Sequence, residues 1–130
     1  MNKIVYILIF ITFSFSISSD VINSSIEKNS QIFENVALEI WEFAELGYLE
    51  NKSSALLADT LKENGFKITK GVAGIPTSFI AEYSNGGPVI GILGEFDALP
   101  GLAQTSAPYK EIAINDTNAG HACGHHLFGA

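Results

Sequence analysis

All three histidines of this chain and its only cysteine lie between His121 and His126. Cysteine thiolate and imidazole are the ligands that borderline metals such as Zn²⁺ prefer. A single glycine separates Cys123 from His125, and glycine gives the backbone the freedom to direct both side chains toward one ion. An isolated histidine is usually a surface residue or a hydrogen-bonded core residue, but the four residues together favour a metal site.

The same residues allow a second chemistry, in which Cys123 is a nucleophile and His125 or His126 is its general base. This arrangement requires the two side chains to face each other, which a one-residue gap does not readily permit. No Asn or Asp that would orient the base is identifiable. Metal binding is therefore the preferred interpretation of the cluster.

Two carboxylates, Glu95 and Asp97, follow an apolar run at residues 89–93. The run is apolar on both faces, which is typical of a central buried strand. If the strand continues to Asp97, both carboxylates point to the same face, and strand ends are where the sites of α/β proteins gather. The pair could bind a metal, orient a ligand imidazole or act as a base, or it could only end a hydrophobic strand.

The segment 101–120 lacks periodicity and contains Gly, Pro, Asn and Asp, which predicts a loop of about twenty residues. Loops of this length inside a domain are usually functional. This loop connects the carboxylate pair to the Cys/His cluster. We therefore expect it to bring the carboxylate end of the predicted strand and the Cys/His cluster together.

The elements that must position these residues follow from periodicity. Apolar residues recur every four positions over residues 30–46, which predicts an amphipathic helix ended by Gly47. A second helix is predicted from Ser53, as N-cap, to residue 64. The period then changes to two, which predicts strands near residues 66–68, 77–83 and 89–95, the last two joined by a hairpin turn at residues 84–87. The expected fold class is α/β, with two helices feeding a mixed β-sheet.

The N-terminus reads as a secretory signal, because Lys3 precedes an apolar run that ends in serines suited to cleavage after Ser18. An uncleaved membrane anchor is the alternative, but the run is shorter than the about 20 apolar residues needed to span a bilayer. We therefore expect a signal peptide over residues 1–18, a polar linker over 19–29 and the folded α/β portion over 30–130. The expected location is extracytoplasmic: secreted, periplasmic or in the secretory-pathway lumen, with no stable membrane anchor after cleavage.

Composition excludes several classes of protein. Seven basic residues against fourteen acidic ones give a net charge of −7. The basic residues form no cluster, so neither nucleic acid nor an anionic membrane surface is an expected partner. A single cysteine excludes an internal disulfide. Packing, or a metal ion in a completed site, must therefore stabilise the fold.

The motifs together resemble a known family. The segment 94–102, Gly-Glu-Phe-Asp-Ala-Leu-Pro-Gly-Leu, followed after the loop by 120–125, Gly-His-Ala-Cys-Gly-His, is similar to the aminoacylase/carboxypeptidase-type metallopeptidases and amidohydrolases. Within this family it resembles the amidohydrolase branch with a Cys-Gly-His metal motif, that of the aminobenzoyl-glutamate hydrolases. The resemblance extends over about residues 30–130.

The resemblance implies the N-terminal portion of a zinc-peptidase-like catalytic domain. It implies two divalent metal ions, Zn or Mn, and hydrolysis of amide bonds in N-acyl amino acids, acyl-glutamates or dipeptides. By position, Cys123 and His125 would be metal ligands, and Asp97 would be the catalytic-centre carboxylate that orients a ligand and raises its basicity. The full-length form would be capable of forming a homodimer.

Two departures from the family pattern leave roles open. Other branches have a histidine ligand where this chain has Glu95, and the residue after Cys-Gly-His is usually Asp or Asn, whereas here it is His126. The role of His121 is also open. Because family members are several times longer, we expect the remaining metal ligands and the general base to lie outside these 130 residues. The rival hypothesis is a truncated, catalytically inactive secreted protein that binds a metal or a partner.

Overall fold

The computed structural model describes residues 18–114 and 116–130. All of the predicted signal peptide except Ser18 therefore lies outside the described residues. The described part is a mixed α/β fold, as the sequence predicts, and the domain boundaries stay a prediction. Its elements are α1 (Ser19–Phe43), α2 (Asn51–Glu63), β1 (Lys67–Lys70), a single 3-10 turn (Val72–Gly74), β2 (Phe79–Glu82), β3 (Leu99–Pro100), β4 (Ala119–Gly120) and α3 (His125–Phe128).

Helix α1 is longer than the sequence predicts at its N-terminal end. Residues 19–29, expected to form a polar linker, are helical and almost entirely exposed. The chain has no glycine or proline between residues 18 and 46 that would interrupt the helix. The helix ends at Phe43, before the predicted stop at Gly47, because Ala44 adopts a left-handed conformation (φ 43°) and its N–H donates to the Ile40 carbonyl. Among the described residues, no helix combines the length and apolar character needed to cross a bilayer.

The hydrophobic core lies between α1 and α2. Val36, Ile40 and Leu57 form its buried centre, with Phe79 of β2 and Phe96 packed against them. Full burial of an aliphatic side chain stabilises a fold by about 1.5–3 kcal/mol. This small cluster therefore holds the two helices together and carries the segment that leads to Asp97.

The start of α2 corrects one prediction. The helix begins at Asn51, and Ser53 is not its N-cap but a fully buried residue of the first turn. The Ser53 backbone N–H and hydroxyl both donate to Glu45 Oε2, each over 2.8 Å, and the Lys52 N–H donates to Glu45 Oε1 over 3.0 Å. The Glu45 carboxylate thus satisfies donors that have no partner within the helix, and it fixes α2 against the end of α1.

The sheet is smaller than predicted. Strands β1 and β2 pair antiparallel from Lys67 opposite Glu82 to Lys70 opposite Phe79, which confirms the first two strands. The predicted central strand at residues 89–95 is wrong: among the described residues it pairs with no strand, and Val89 is 99% exposed. An extended segment becomes a strand only when a neighbour accepts and donates its backbone hydrogen bonds. Residues 84–87 do not fold the run back onto β2, so the predicted hairpin does not form.

The second sheet closes the long loop instead. Strands β3 and β4 pair antiparallel, with Leu99 opposite Gly120, so the loop starts and ends at the same place. Leu46 forms a parallel bridge with Ala98, whose N–H donates to the Glu45 carbonyl over 2.7 Å. The buried alanines at 44, 98 and 119 allow these backbones to approach closely. The arrangement brings residue 97 next to residue 121, as the loop assignment predicts.

We expect the substitution Gly120→Ala to destabilise the fold by about 1–3 kcal/mol, the usual cost of overpacking. A Cβ at this position would overlap the backbone carbonyl of Leu102, which cannot move away as a flexible side chain would. Unfolding by urea, followed by circular dichroism, measures the change in the free energy of unfolding.

The matched control is Gly91→Ala, because a Cβ at Gly91 meets no atom within 4 Å. This substitution should change the free energy of unfolding by less than about 0.5 kcal/mol. Equal stability of the two variants would contradict the close packing of β4 against the loop.

Candidate metal centre

Three metal-ligating side chains converge where the loop closes. Glu95, Asp97 and His125 each offer one ligand atom, and these atoms all lie within 4.8 Å of one another. The His125 Nδ1 atom lies 2.8 Å from Asp97 Oδ1, and its Nε2 atom lies 2.9 Å from Glu95 Oε2. The imidazole is therefore held between two carboxylates, one on each ring nitrogen.

The backbone positions these groups from two directions. Asp97 directly precedes Ala98, which is bonded to Glu45 as described above. Glu95 lies two residues earlier and reaches the same imidazole, although the segment does not form the strand on which the same-face prediction depends. His125 opens the short helix α3 directly after Gly124, whose left-handed conformation (φ 80°) favours glycine. The centre thus depends on the paired strands and on one turn.

The contacts differ in their exposure to solvent. The side chain of His125 is 19% exposed, that of Asp97 is 31% exposed and that of Glu95 is 61% exposed. The His125–Asp97 pair is therefore the shielded half of the site, while Glu95 lies on the solvent side. A cation bound at His125 Nε2 would meet an imidazole nitrogen and the carboxylate oxygen of Glu95. These donor types suit Zn²⁺ or Mn²⁺, so the residues present fit such an ion.

Cys123 does not join this cluster. Its side chain is exposed and unpaired with any other cysteine, and it lies outside the group of three ligating residues. It belongs to a turn in which the Gly124 N–H donates to the His121 carbonyl over 3.0 Å. The structure thus brings Asp97 and His125 together, and it leaves Cys123 in the adjoining turn. The metal-ligand roles of Cys123 and His125 and the catalytic-centre role of Asp97 stay predictions.

His121 and His126 form a second group, which packs against Trp41 of α1. His121 is only 2% exposed, and its Nε2 atom lies 3.0 Å from the carbonyl oxygen of Ile40. Its ring centroid lies 5.2 Å from that of His126, which meets Trp41 edge-on at 4.9 Å. The Nδ1 atoms of both histidines are buried and make no hydrogen bond within the described part of the chain.

Burial determines the ionisation of this pair. Desolvation lowers the pKa of His121, and the acceptor carbonyl of Ile40 opposes the shift only in part. Desolvation also lowers the pKa of His126, and the neighbouring His121 adds to the effect. Both rings therefore favour the neutral form.

The sequence pattern assigns no role to His121, and it gives no indication that this residue contacts α1. The Ile40–His121 bond joins positions 81 residues apart. The helical pattern that buries Ile40 predicts the core face of α1, but it carries no signal for an acceptor carbonyl at the end of that helix.

Comparisons with known proteins agree with the motifs. No family model matches the chain. It is 39% identical over 108 residues to a subunit of the p-aminobenzoyl-glutamate hydrolase of Escherichia coli, a match that covers 83% of this chain and 22% of that protein. It is 33% identical over 93 residues to hippurate hydrolase of Campylobacter jejuni, covering 72% of this chain and 24% of the relative. It is 34% identical over 89 residues to thermostable carboxypeptidase 1 of Saccharolobus solfataricus, covering 67% of this chain and 22% of the relative.

The chain spans between a fifth and a quarter of the length of these relatives. They are a hydrolase of an aminobenzoyl-glutamate, a hydrolase of hippurate and a carboxypeptidase, and a further relative carries the name amidohydrolase. The aligned segments cover two thirds or more of this chain in each of the three comparisons. On this similarity, the chain belongs to the aminoacylase/carboxypeptidase family of amidohydrolases, and it corresponds to a part of the length of its relatives.

Proposed function

We propose that this chain contributes to the active centre of a metal-dependent amidohydrolase. The substrates would be N-acyl amino acids, acyl-glutamates or dipeptides, with cleavage at the amide bond. The observation that carries the proposal is the His125 imidazole held between Asp97 and Glu95. The relatives support it, because they are named as hydrolases of aminobenzoyl-glutamate and hippurate and as a carboxypeptidase.

Asp97 would act through His125. Its Oδ1 atom accepts a hydrogen bond from His125 Nδ1–H, which fixes the tautomer that leaves the Nε2 lone pair free for a ligand. A carboxylate on the far side of an imidazole also raises its basicity and holds its orientation. The partly buried position of the pair preserves this interaction, because water competes less there.

Glu95 and Cys123 would be the other metal ligands that this chain provides. Glu95 Oε2 already lies 2.9 Å from His125 Nε2, so both atoms can approach one cation. Cys123 has an exposed thiol two residues from His125, and its role as a ligand comes from the family resemblance. Two bound Zn²⁺ or Mn²⁺ ions would polarise the scissile carbonyl and acidify a water molecule. The remaining ligands would come from other parts of the natural protein, which we propose forms a homodimer.

The relatives named above favour this proposal over the rival hypothesis of an inactive binding protein, because their names are those of hydrolases, an amidohydrolase and a carboxypeptidase. We also propose an extracytoplasmic location, supported by the signal-like pattern of residues 1–18.

Metal binding tests the role of Asp97. We expect Asp97→Asn to weaken Zn²⁺ binding by about 10–100-fold, the usual effect of removing a partner that orients a ligand imidazole. Titration calorimetry with ZnCl₂ on the natural protein at its full length measures the change. Asp59→Asn removes the same charge from an exposed position on α2 and should leave the affinity unchanged. Equal affinities for both variants would contradict the proposed role of Asp97.

Activity and metal content together test whether Cys123 is a metal ligand. In the natural protein at its full length, Cys123→Ser should lower kcat/KM for hippurate and p-aminobenzoyl-glutamate by orders of magnitude and should also lower the bound metal. A ligand role requires both losses, because metal and activity depend on the same thiolate. Loss of activity with full metal content would instead favour the nucleophile. Unchanged turnover and metal content would exclude both roles.

The mature N-terminus tests the proposed location. Cleavage after Ser18 predicts a secreted form that begins at Ser19, and mass spectrometry of the protein recovered from outside the cytoplasm identifies it. The matched control replaces Ile7 and Leu8 with aspartate, which removes the apolar run and should retain the protein, uncleaved, in the cytoplasm. An intact Met1 on the wild-type protein would contradict cleavage.

A further inference from the structure

We propose that His121 is a positioning residue of the metal centre: its Nε2–H bond to the Ile40 carbonyl fixes the turn that carries Cys123 and leads into His125. This inference rests on the proposed function, because it assigns His121 a role in the same site.

The first observation is how His121 attaches the turn. His121 is 2% exposed, and its ring donates from Nε2 to the Ile40 carbonyl over 3.0 Å. Its own backbone carbonyl accepts the Gly124 N–H over 3.0 Å. One residue therefore holds the turn internally through its backbone and fastens it to helix α1 through its side chain.

The second observation is the rigidity of the acceptor. The Ile40 side chain is fully buried in the core, and its carbonyl also accepts the Ala44 N–H that ends α1, over 3.2 Å. A hydrogen bond to an acceptor in the core limits movement of its donor more than a bond to a mobile loop would. The bond from His121 to Ile40 therefore limits the movement of the turn relative to the core.

The third observation is that the ring has little freedom to adopt another orientation. The Trp41 ring lies 6.3 Å from the His121 ring and 4.9 Å from the His126 ring, and the two histidine rings lie 5.2 Å apart. Donation to Ile40 requires the proton on Nε2, while Nδ1 makes no hydrogen bond within the described residues. The His121 ring therefore packs beside Trp41 and His126, with Nε2 as the atom that donates to Ile40.

The consequence for the site follows from the short connection. Three residues separate His121 from His125, and they include Gly124, which is in the left-handed conformation. Displacement of His121 would move the start of α3 and draw the His125 ring away from Asp97 and Glu95. A loss of the Ile40 bond should therefore weaken metal binding, although His121 is not among the ligating residues of the cluster.

Two substitutions of His121 separate positioning from simple packing. In His121→Gln the amide nitrogen replaces Nε2 and can still donate to Ile40, whereas in His121→Asn the shorter side chain cannot reach it. In the natural protein at its full length, we expect Asn to weaken Co²⁺ binding by about 10–100-fold and to alter the visible Co²⁺ spectrum. We expect Gln to keep the affinity within about threefold of the wild type, because it retains the donor.

The behaviour of the wild-type protein distinguishes failure of the positioning role from failure of the proposed function. If the wild-type protein binds no Co²⁺ and cleaves neither hippurate nor p-aminobenzoyl-glutamate, the proposed function is wrong, and the positioning role falls with it. If the wild type binds Co²⁺ and both variants bind equally well, only the positioning role is wrong. Equal weakening in both variants would also contradict it, because the retained donor would have rescued nothing.

A measurement on the wild type alone covers the case in which the asparagine variant does not fold. The ¹⁵N NMR spectrum of the metal-free protein reports which ring nitrogen of His121 carries the proton. We expect the Nε2–H tautomer, with a proton protected from exchange by burial. A proton on Nδ1, or rapid exchange at Nε2, would overturn the proposed bond and with it the inference.

Discussion

The backbone hydrogen bond from the Ala98 N–H to the Glu45 carbonyl is the constraint on which the candidate site depends. It joins the segment after α1 to the segment that carries Asp97, and Ala44, Ala98 and Ala119 are buried around it. The Glu45 side chain binds the first turn of α2 at the same time. One residue thus attaches both α2 and the carboxylate segment to the end of α1. Larger side chains in place of the alanines would separate these backbones.

Electrostatics explains why a cationic partner belongs between the two carboxylates. The ligand oxygens of Glu95 and Asp97 lie within 4.8 Å of each other. At that distance two negative charges repel by about 1 kcal/mol in water and by about 3 kcal/mol at the effective dielectric constant of a protein surface. A cation bound at the His125 imidazole would offset this repulsion, because the ring lies between the two carboxylates.

The sequence predicts the parts of this arrangement that depend on local pattern. The amphipathic helix around Ile40 and the first two strands follow from periodicity. The convergence of the carboxylate segment with the histidine cluster follows from the position of the long loop. The strand at residues 89–95 was wrong, because an apolar run indicates extended backbone but carries no information about a pairing partner. Periodicity also gives no signal for the bonds from Ser53 to Glu45 and from His121 to Ile40. The first joins residues 8 positions apart and the second joins residues 81 positions apart, and neither spacing belongs to a helix or strand repeat.

Ile40 connects the stability of the fold to the geometry of the candidate centre. Its side chain is fully buried among the core residues, while its carbonyl accepts bonds from Ala44 and His121. The core therefore also fixes the position of the Ile40 carbonyl, which is the acceptor that holds the turn beginning at His121. A ligand set needs its side chains held to within a fraction of an ångström. A turn without regular secondary structure meets this requirement only through such an attachment, and the buried imidazole of His121 provides it.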